Sequence, residues 1–247
     1  MKNIAIIGGG SWGTALAIVS SELGHSVKLW VYEAELVTFI NQKHCNEIYL
    51  KDFQIPHNVV ASNSLSKSLE SAQIVLTAVP ANHCRSLYQA MVPHLTPDMI
   101  FVSATKGIES KSFQRMSQIM EDLISPFFQP RIAVISGPSF AKEVARGDPT
   151  AIVVAGPNKK INETIQSEFS GSTLRLYTNN DIVGVELAGA VKNVIAIAAG
   201  VCAGLGFGSN SLAAVVTRGL AEMTRLVIAC GGSRQTMAGL AGMGDLV

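Results

Sequence analysis

A glycine-rich turn near the amino terminus constrains this chain more than any other segment. Gly8-Gly9-Gly10-Ser11-Trp12-Gly13 satisfies the GxGxxG pattern. It follows a short β-rich run, Asn3 to Ile7, and opens a helical segment, Ser11 to Leu23, with Gly24 placed to terminate it. That strand–turn–helix context makes the pattern a signature for binding a dinucleotide. Gly8 permits the tight turn, Gly10 lets the backbone approach a pyrophosphate, and Gly13 lets the helix pack on the sheet. Ser11 and Trp12 lie at the helix start, where free N–H groups meet phosphates. The plainer reading is a glycine-rich turn without a ligand.

Strand-like and helix-like segments alternate from there. Ser26 to Val31 reads as a strand. Ile74 to Val79 is a continuous apolar run closed by Pro80, as expected of a strand buried on both faces. Met99 to Ala104, Ile132 to Ser136 and Ala151 to Ala155 are further strands. The alternation predicts parallel strands joined by crossover helices, a doubly wound α/β sheet of Rossmann type. Past Asp181 no strand is evident, and two Ala/Gly/Val-rich helical segments follow. Asp181 is the expected N-cap of the first, and Ser209 or Asn210 of the second. The reading is therefore a dinucleotide-binding domain over 1–179 and an all-α substrate and catalytic domain over 180–247.

Composition excludes several classes. The formal net charge of +1 favours neither nucleic acid nor an anionic membrane. The four cysteines form no CxxC pair, which fits a reducing cytoplasm, and the five histidines show no ligand spacing, so no metal site is expected. Met1-Lys2-Asn3 and the short apolar run behind it do not read as a signal peptide. The apolar stretch from Ile182 to Val201 has the length of a membrane span. Glu186, Lys192 and Asn193 interrupt it, so a buried helix is expected instead of a span.

Lys192 is the conspicuous residue of that stretch. An ammonium group among Val, Ala and Ile is costly to desolvate, and its pKa falls toward the range useful for acid–base catalysis. The alternative is a lysine that snorkels to solvent. Glu33, about 20 residues beyond Gly13, stands where an acid bonds the adenosine ribose and favours NAD. Tyr32 stands where a basic residue would favour NADP. Glu33 is otherwise a solvated residue opening the next helix. Lys106 follows the strand Met99–Ala104, at the carboxyl end that faces a ligand crevice, or else in a surface loop. In Gly137-Pro-Ser139-Phe-Ala141, a proline at a helix start with free N–H groups suits an anion or a hydroxyl, or is a plain cap. There Ser139 can bond substrate hydroxyls and Ala141 leaves room for a cofactor. Asn193 is either a substrate contact beside Lys192 or a polar residue satisfied within the helix. Glu186 is read as structural.

Four segments carry a resemblance to a known family: Gly8-Gly-Gly-Ser-Trp-Gly-Thr-Ala-Leu-Ala17, Gly137-Pro-Ser-Phe-Ala-Lys-Glu-Val144, Gly189-Ala-Val-Lys-Asn-Val-Ile-Ala196 and Gly239-Leu-Ala-Gly-Met-Gly-Asp-Leu246. In order and spacing the chain resembles the NAD(P)-dependent glycerol-3-phosphate dehydrogenases, in particular the bacterial type. The resemblance implies a cytoplasmic enzyme that interconverts dihydroxyacetone phosphate and sn-glycerol 3-phosphate with NADPH or NADH and feeds glycerophospholipid synthesis. It makes Lys192 the catalytic proton donor. Lys106, Gly137, Ser139, Asn193 and Asp245 become substrate contacts. Gly8, Gly10, Ser11, Trp12, Gly13, Tyr32, Glu33, Tyr49, Lys106 and Ala141 become cofactor contacts. Asp245 is otherwise a helix cap, and Tyr49 enters by resemblance alone.

Two departures stand out. Tyr32 replaces the family's basic residue, which leaves NAD against NADP open. Family members also continue beyond the position of Val247, so the helical domain is expected to be incomplete and to expose apolar faces. Its Ala/Gly-rich helices could pack against a second copy. Two other readings compete: a related β-hydroxyacid dehydrogenase, and a dinucleotide-binding module without catalysis.

Overall fold

Ile4, Ala5, Ile6 and Ile7 are all buried, as a strand covered by helices on both faces requires. They form β1 (Asn3–Ile7) in the computed structural model, which describes residues 1–247. The chain continues through α1 (Ser11–Glu22), β2 (Ser26–Trp30), α2 (Ala34–Lys43), a small hairpin of β3 (Cys45–Asn46) and β4 (Leu50–Gln54), and β5 (Val59–Ser62). Then come α3 (Leu65–Leu69), β6 (Ile74–Thr77), α4 (Ala81–Met91), β7 (Ile100–Ser103), α5 (Met116–Ile124) and β8 (Arg131–Ser136). The sheet is completed by α6 (Ala141–Arg146), β9 (Thr150–Ala155), α7 (Lys159–Phe169) and β10 (Leu174–Asn179). The helical part holds α8 (Ile182–Gly204), α9 (Ser209–Ala229), α10 (Arg234–Met237) and a π-helical turn, Leu240–Gly244.

Eight strands form one sheet in the order β10-β9-β8-β7-β6-β1-β2-β5. β1 pairs in parallel with β2 on one side and β6 on the other. The strand order therefore reverses between β1 and β6, and in such sheets ligands bind beyond the carboxyl ends of the strands at that reversal. One core cluster packs α1, α2 and α7 against one face, and a second packs α4 and α5 against the other.

Three expectations need correction. The sheet is not parallel throughout, because β9 runs antiparallel to β8, and β10 follows β9. α6 does not cross the sheet. It lies beside α1, ends at Gly147 in the left-handed region, and returns the chain from the end it left. Second, Gly208, and not Ser209 or Asn210, occupies the N-cap of α9. Asp181 does cap α8, accepting from the Gly184 N–H at 2.8 Å. Third, α8 is not buried along its length. It packs on β8 and the helical core through Gly189, and beyond that Val194, Ile197, Val201 and Leu205 are exposed. By length and composition alone α8 could cross a bilayer, but its first part packs on the sheet and Lys192 is ion-paired.

Candidate active site

The glycine turn sits at the carboxyl end of β1, at the reversal point. Gly8 has φ +128°, a conformation that side chains disfavour. A Cβ on Gly13 would run into the Gly8 carbonyl oxygen, so the first helical turn can approach the strand only as glycine. A Cβ on Gly10 would meet nothing within 4 Å, so this backbone borders open space. The space is a cleft of about 380 Å³ with Gly10, Ser11 and Trp12 on one wall and Lys106, Ser139 and Ala141 on the other. These residues fit a dinucleotide: bare backbone N–H groups for a pyrophosphate, and an apolar wall for a flat ring. A larger opening of about 830 Å³ lies elsewhere, between β10 and α10. There the Asp181 carboxylate already accepts from the Ser233 N–H and the Thr236 hydroxyl, and Lys159 is the one lysine on its border.

Glu33 and Tyr32 lie just past β2. Tyr32 is 80% exposed, edge-on to Trp30, and the half-buried Glu33 accepts a 2.6 Å hydrogen bond from the Tyr49 hydroxyl. That bond raises the Tyr49 pKa. Tyr49, which came in by resemblance alone, is thus tied to the acid expected at the ribose.

The second half of the site is a cluster of charges. Asp245, its side chain 1% exposed, faces two lysines. Lys106 Nζ donates to both carboxylate oxygens, at 2.9 and 2.8 Å, and to the Gly137 carbonyl at 3.0 Å. Lys192 Nζ donates to the same carboxylate and, at 2.9 Å, to the Asp245 backbone carbonyl. α8 carries Lys192, the loop after β7 carries Lys106, and the π-helical turn delivers Asp245. A lowered pKa is found at Lys106. Burial, more than the Lys192 charge, pushes Lys106 down to about 8 against the pull of Asp245.

Gly137, at φ +138°, accepts from both Lys106 and the Ser139 hydroxyl, the latter at 2.9 Å. Ser139 and Lys106 therefore meet at one carbonyl. Pro138, however, does not start a helix: α6 opens at Ala141 with Phe140 as N-cap. Asn193 is exposed, and the structure does not bring it into the cluster. Glu186 is structural, as expected. It accepts from Arg115 at 2.5 Å, the Ser117 N–H at 2.8 Å and the Ser117 hydroxyl at 2.5 Å. Burial raises its pKa. This contact clamps α8, and with it Lys192, to the start of α5.

Two participants escaped the sequence reading. Arg115 stands in a polar stretch with no periodicity, and Asn46 lies in the unread hairpin, where it bonds the glycine turn.

Family models for the amino- and carboxyl-terminal parts of NAD-dependent glycerol-3-phosphate dehydrogenase match residues 3–162 and 181–247. The chain belongs to the NAD-dependent glycerol-3-phosphate dehydrogenase family. A relative from Koribacter versatilis, named glycerol-3-phosphate dehydrogenase, NAD(P)+, is 55% identical over 100% of this chain and 74% of its own length. One of the same name from Bacillus velezensis is 42% identical over 100% of this chain and 72% of its own. The crystal structure of glycerol-3-phosphate dehydrogenase from Coxiella burnetii superposes with a TM-score of 0.94 at 40% identity, covering 99% of this chain and 74% of that one. The chain thus spans about three quarters of the length of these relatives. In this chain Lys106, which joins the charge cluster, and the glycine turn border one cleft.

Proposed function

We propose that the chain reversibly reduces dihydroxyacetone phosphate to sn-glycerol 3-phosphate with NAD(P)H, in the cytoplasm, as a supply for glycerophospholipid synthesis. The observation that carries this reading is the pair of lysines sharing one buried carboxylate beside the dinucleotide cleft. A reduced nicotinamide bound in that cleft supplies the hydride.

The residues around it do the rest. Lys192 donates a proton to the C2 oxygen as the carbonyl is reduced, and takes it back in the reverse direction. Asp245 fixes the direction of its Nζ and balances the paired positive charge. Lys106, cationic below about pH 8, stabilises negative charge developing on the same oxygen. Ser139 and Gly137 hold the substrate hydroxyl end near Lys106. Gly8, Gly10, Ser11, Trp12 and Gly13 take the pyrophosphate and pack the ring, with Ala141 opposite. Glu33, Tyr49 and Tyr32 border the adenosine ribose. Asn193 is kept as a substrate contact made from the exposed side of α8. The family match favours this reaction over a hydroxyacid dehydrogenase.

The domain division at 1–179 and 180–247 belongs to this proposal, as does self-association through the exposed apolar face of α8. The test is turnover of dihydroxyacetone phosphate by the unaltered chain and by Lys192→Ala. Turnover should vanish in the variant while dinucleotide affinity stays within about twofold, because Lys192 acts on the transition state. Substantial turnover by a folded variant refutes the role.

A further inference from the structure

The hairpin β3–β4 enters the proposed site above only through Tyr49 in its turn, yet it also touches the glycine turn. Its register shifts between Cys45 and Asn46, and irregularities of this kind re-aim a side chain. The Asn46 side chain is fully buried. Its amide nitrogen donates to the Gly9 carbonyl at 2.8 Å and to the Thr14 hydroxyl at 2.9 Å. The Thr14 hydroxyl in turn reaches the Gly9 carbonyl at 3.4 Å. The Asn46 side-chain oxygen accepts the Tyr49 N–H at 3.0 Å. The Tyr49 hydroxyl then reaches Glu33. One carboxamide therefore ties the middle of the pyrophosphate turn, the first turn of α1 and the residue that orients the ribose acid.

We propose that Asn46 is the positioning residue of the dinucleotide site, holding the glycine turn from behind and coupling it to the Tyr49–Glu33 pair. This rests on the proposed dinucleotide cleft and adds a residue to it. Both functions of the carboxamide are needed. A donor must satisfy the buried Gly9 carbonyl, whose other side-chain partner is the Thr14 hydroxyl at the longer distance of 3.4 Å, and an acceptor must fix Tyr49. Aspartate, of the same shape, keeps the acceptor and presents a second acceptor to Gly9. Because Asn46 acts on the pyrophosphate and the adenosine ribose, it serves only the half of the cofactor that carries them.

Binding to the full chain distinguishes this from a merely structural role. Dissociation constants are measured by fluorescence for NADH, for ADP-ribose, which lacks the nicotinamide, and for reduced nicotinamide mononucleotide, which lacks the adenosine half. In Asn46→Asp, NADH and ADP-ribose should weaken about tenfold to a hundredfold, and the mononucleotide less than about threefold. Thr14→Val removes one arm of the clamp in an isosteric, buried position. It should show the same ligand pattern at about threefold to tenfold, and it decides the question if Asn46→Asp does not fold. Equal losses for all three ligands, or no loss in a folded variant, overturns the proposal. If the unaltered chain binds none of the three, the dinucleotide reading fails and this inference with it.

Discussion

Asp245→Asn is the sharpest test of the charge cluster. At 2.8 Å the gross attraction between Lys106 and the carboxylate is about 6 kcal/mol at an effective dielectric of ~20. Lys192 adds a second contact to the same group. Desolvation of all three groups and repulsion between the lysines consume most of that. Removing one partner of such a buried set costs ~3–5 kcal/mol, because the remaining charge is stranded. Asparagine keeps the shape and supplies an oxygen to one lysine, so the loss reports the charge. For a chain of this size the fall in Tm is about 6–20 °C, taking ~2–4 °C per kcal/mol.

The pH dependence makes the test specific. Lys106 already has its pKa lowered to about 8 in the folded protein, below the ordinary lysine value of 10.5. Above about pH 8 the unfolded chain holds more protons than the folded one, so wild-type stability from this group rises with pH toward 10.5. Without Asp245, burial and Lys192 act on Lys106 unopposed, and its pKa falls further. The variant then begins the same rise at lower pH. Its deficit should be largest at pH 6 and smaller at pH 9, by about 1.4 kcal/mol for each further unit of depression. Chemical denaturation at both pH values reads this directly. An identical deficit at pH 6 and 9, or a deficit below ~1 kcal/mol at pH 6, refutes the argument that one carboxylate stabilises both cations.

Two further perturbations follow from packing. Gly13→Ala drives a methyl group into the Gly8 carbonyl, and should cost ~1–3 kcal/mol of stability and abolish NADH binding, measured by thermal melts and fluorescence titration. Glu186→Gln turns an acceptor of the Arg115 and Ser117 contacts into a partial donor, and should cost about 3 kcal/mol in urea denaturation. Because burial raises the Glu186 pKa, wild-type stability falls as pH rises from the ordinary glutamate value through the raised one. The glutamine variant should lack that slope.

The parts of the fold that could be read were those whose own residues dictate their environment. β1, β6 and β7 are continuous apolar runs, and only a strand covered on both faces makes use of them. α1 was placed to within one residue because Gly24 ends it. β10 was missed although Leu174-Arg-Leu-Tyr alternates buried and exposed residues as a half-exposed edge strand does, because that alternation is only four residues long. β5, at the other edge, was missed too. The direction of β9 depends on α6 turning back beside α1, which is a matter of tertiary packing and leaves no mark on the strand itself.

The same division runs through the site. Glycines announce themselves because each answers a steric demand of its own backbone, and a lysine among aliphatic residues does so because of its charge. Position along one helix does not reveal what the side chain meets. Lys192 and Asn193 are neighbours in sequence, yet one turns into the cluster and the other into solvent. The lowered pKa of Lys106 was likewise not legible in its local sequence, because its buried surroundings arise only when the chain folds around it. Asn46 is the extreme case. Nothing in Cys45-Asn-Glu-Ile-Tyr49 sets it apart, and its importance appears only when a hairpin more than thirty residues on folds behind the glycine turn. Residues that bind by backbone geometry are legible singly, whereas those that position others are legible only as pairs, and pairs across a chain are what folding supplies.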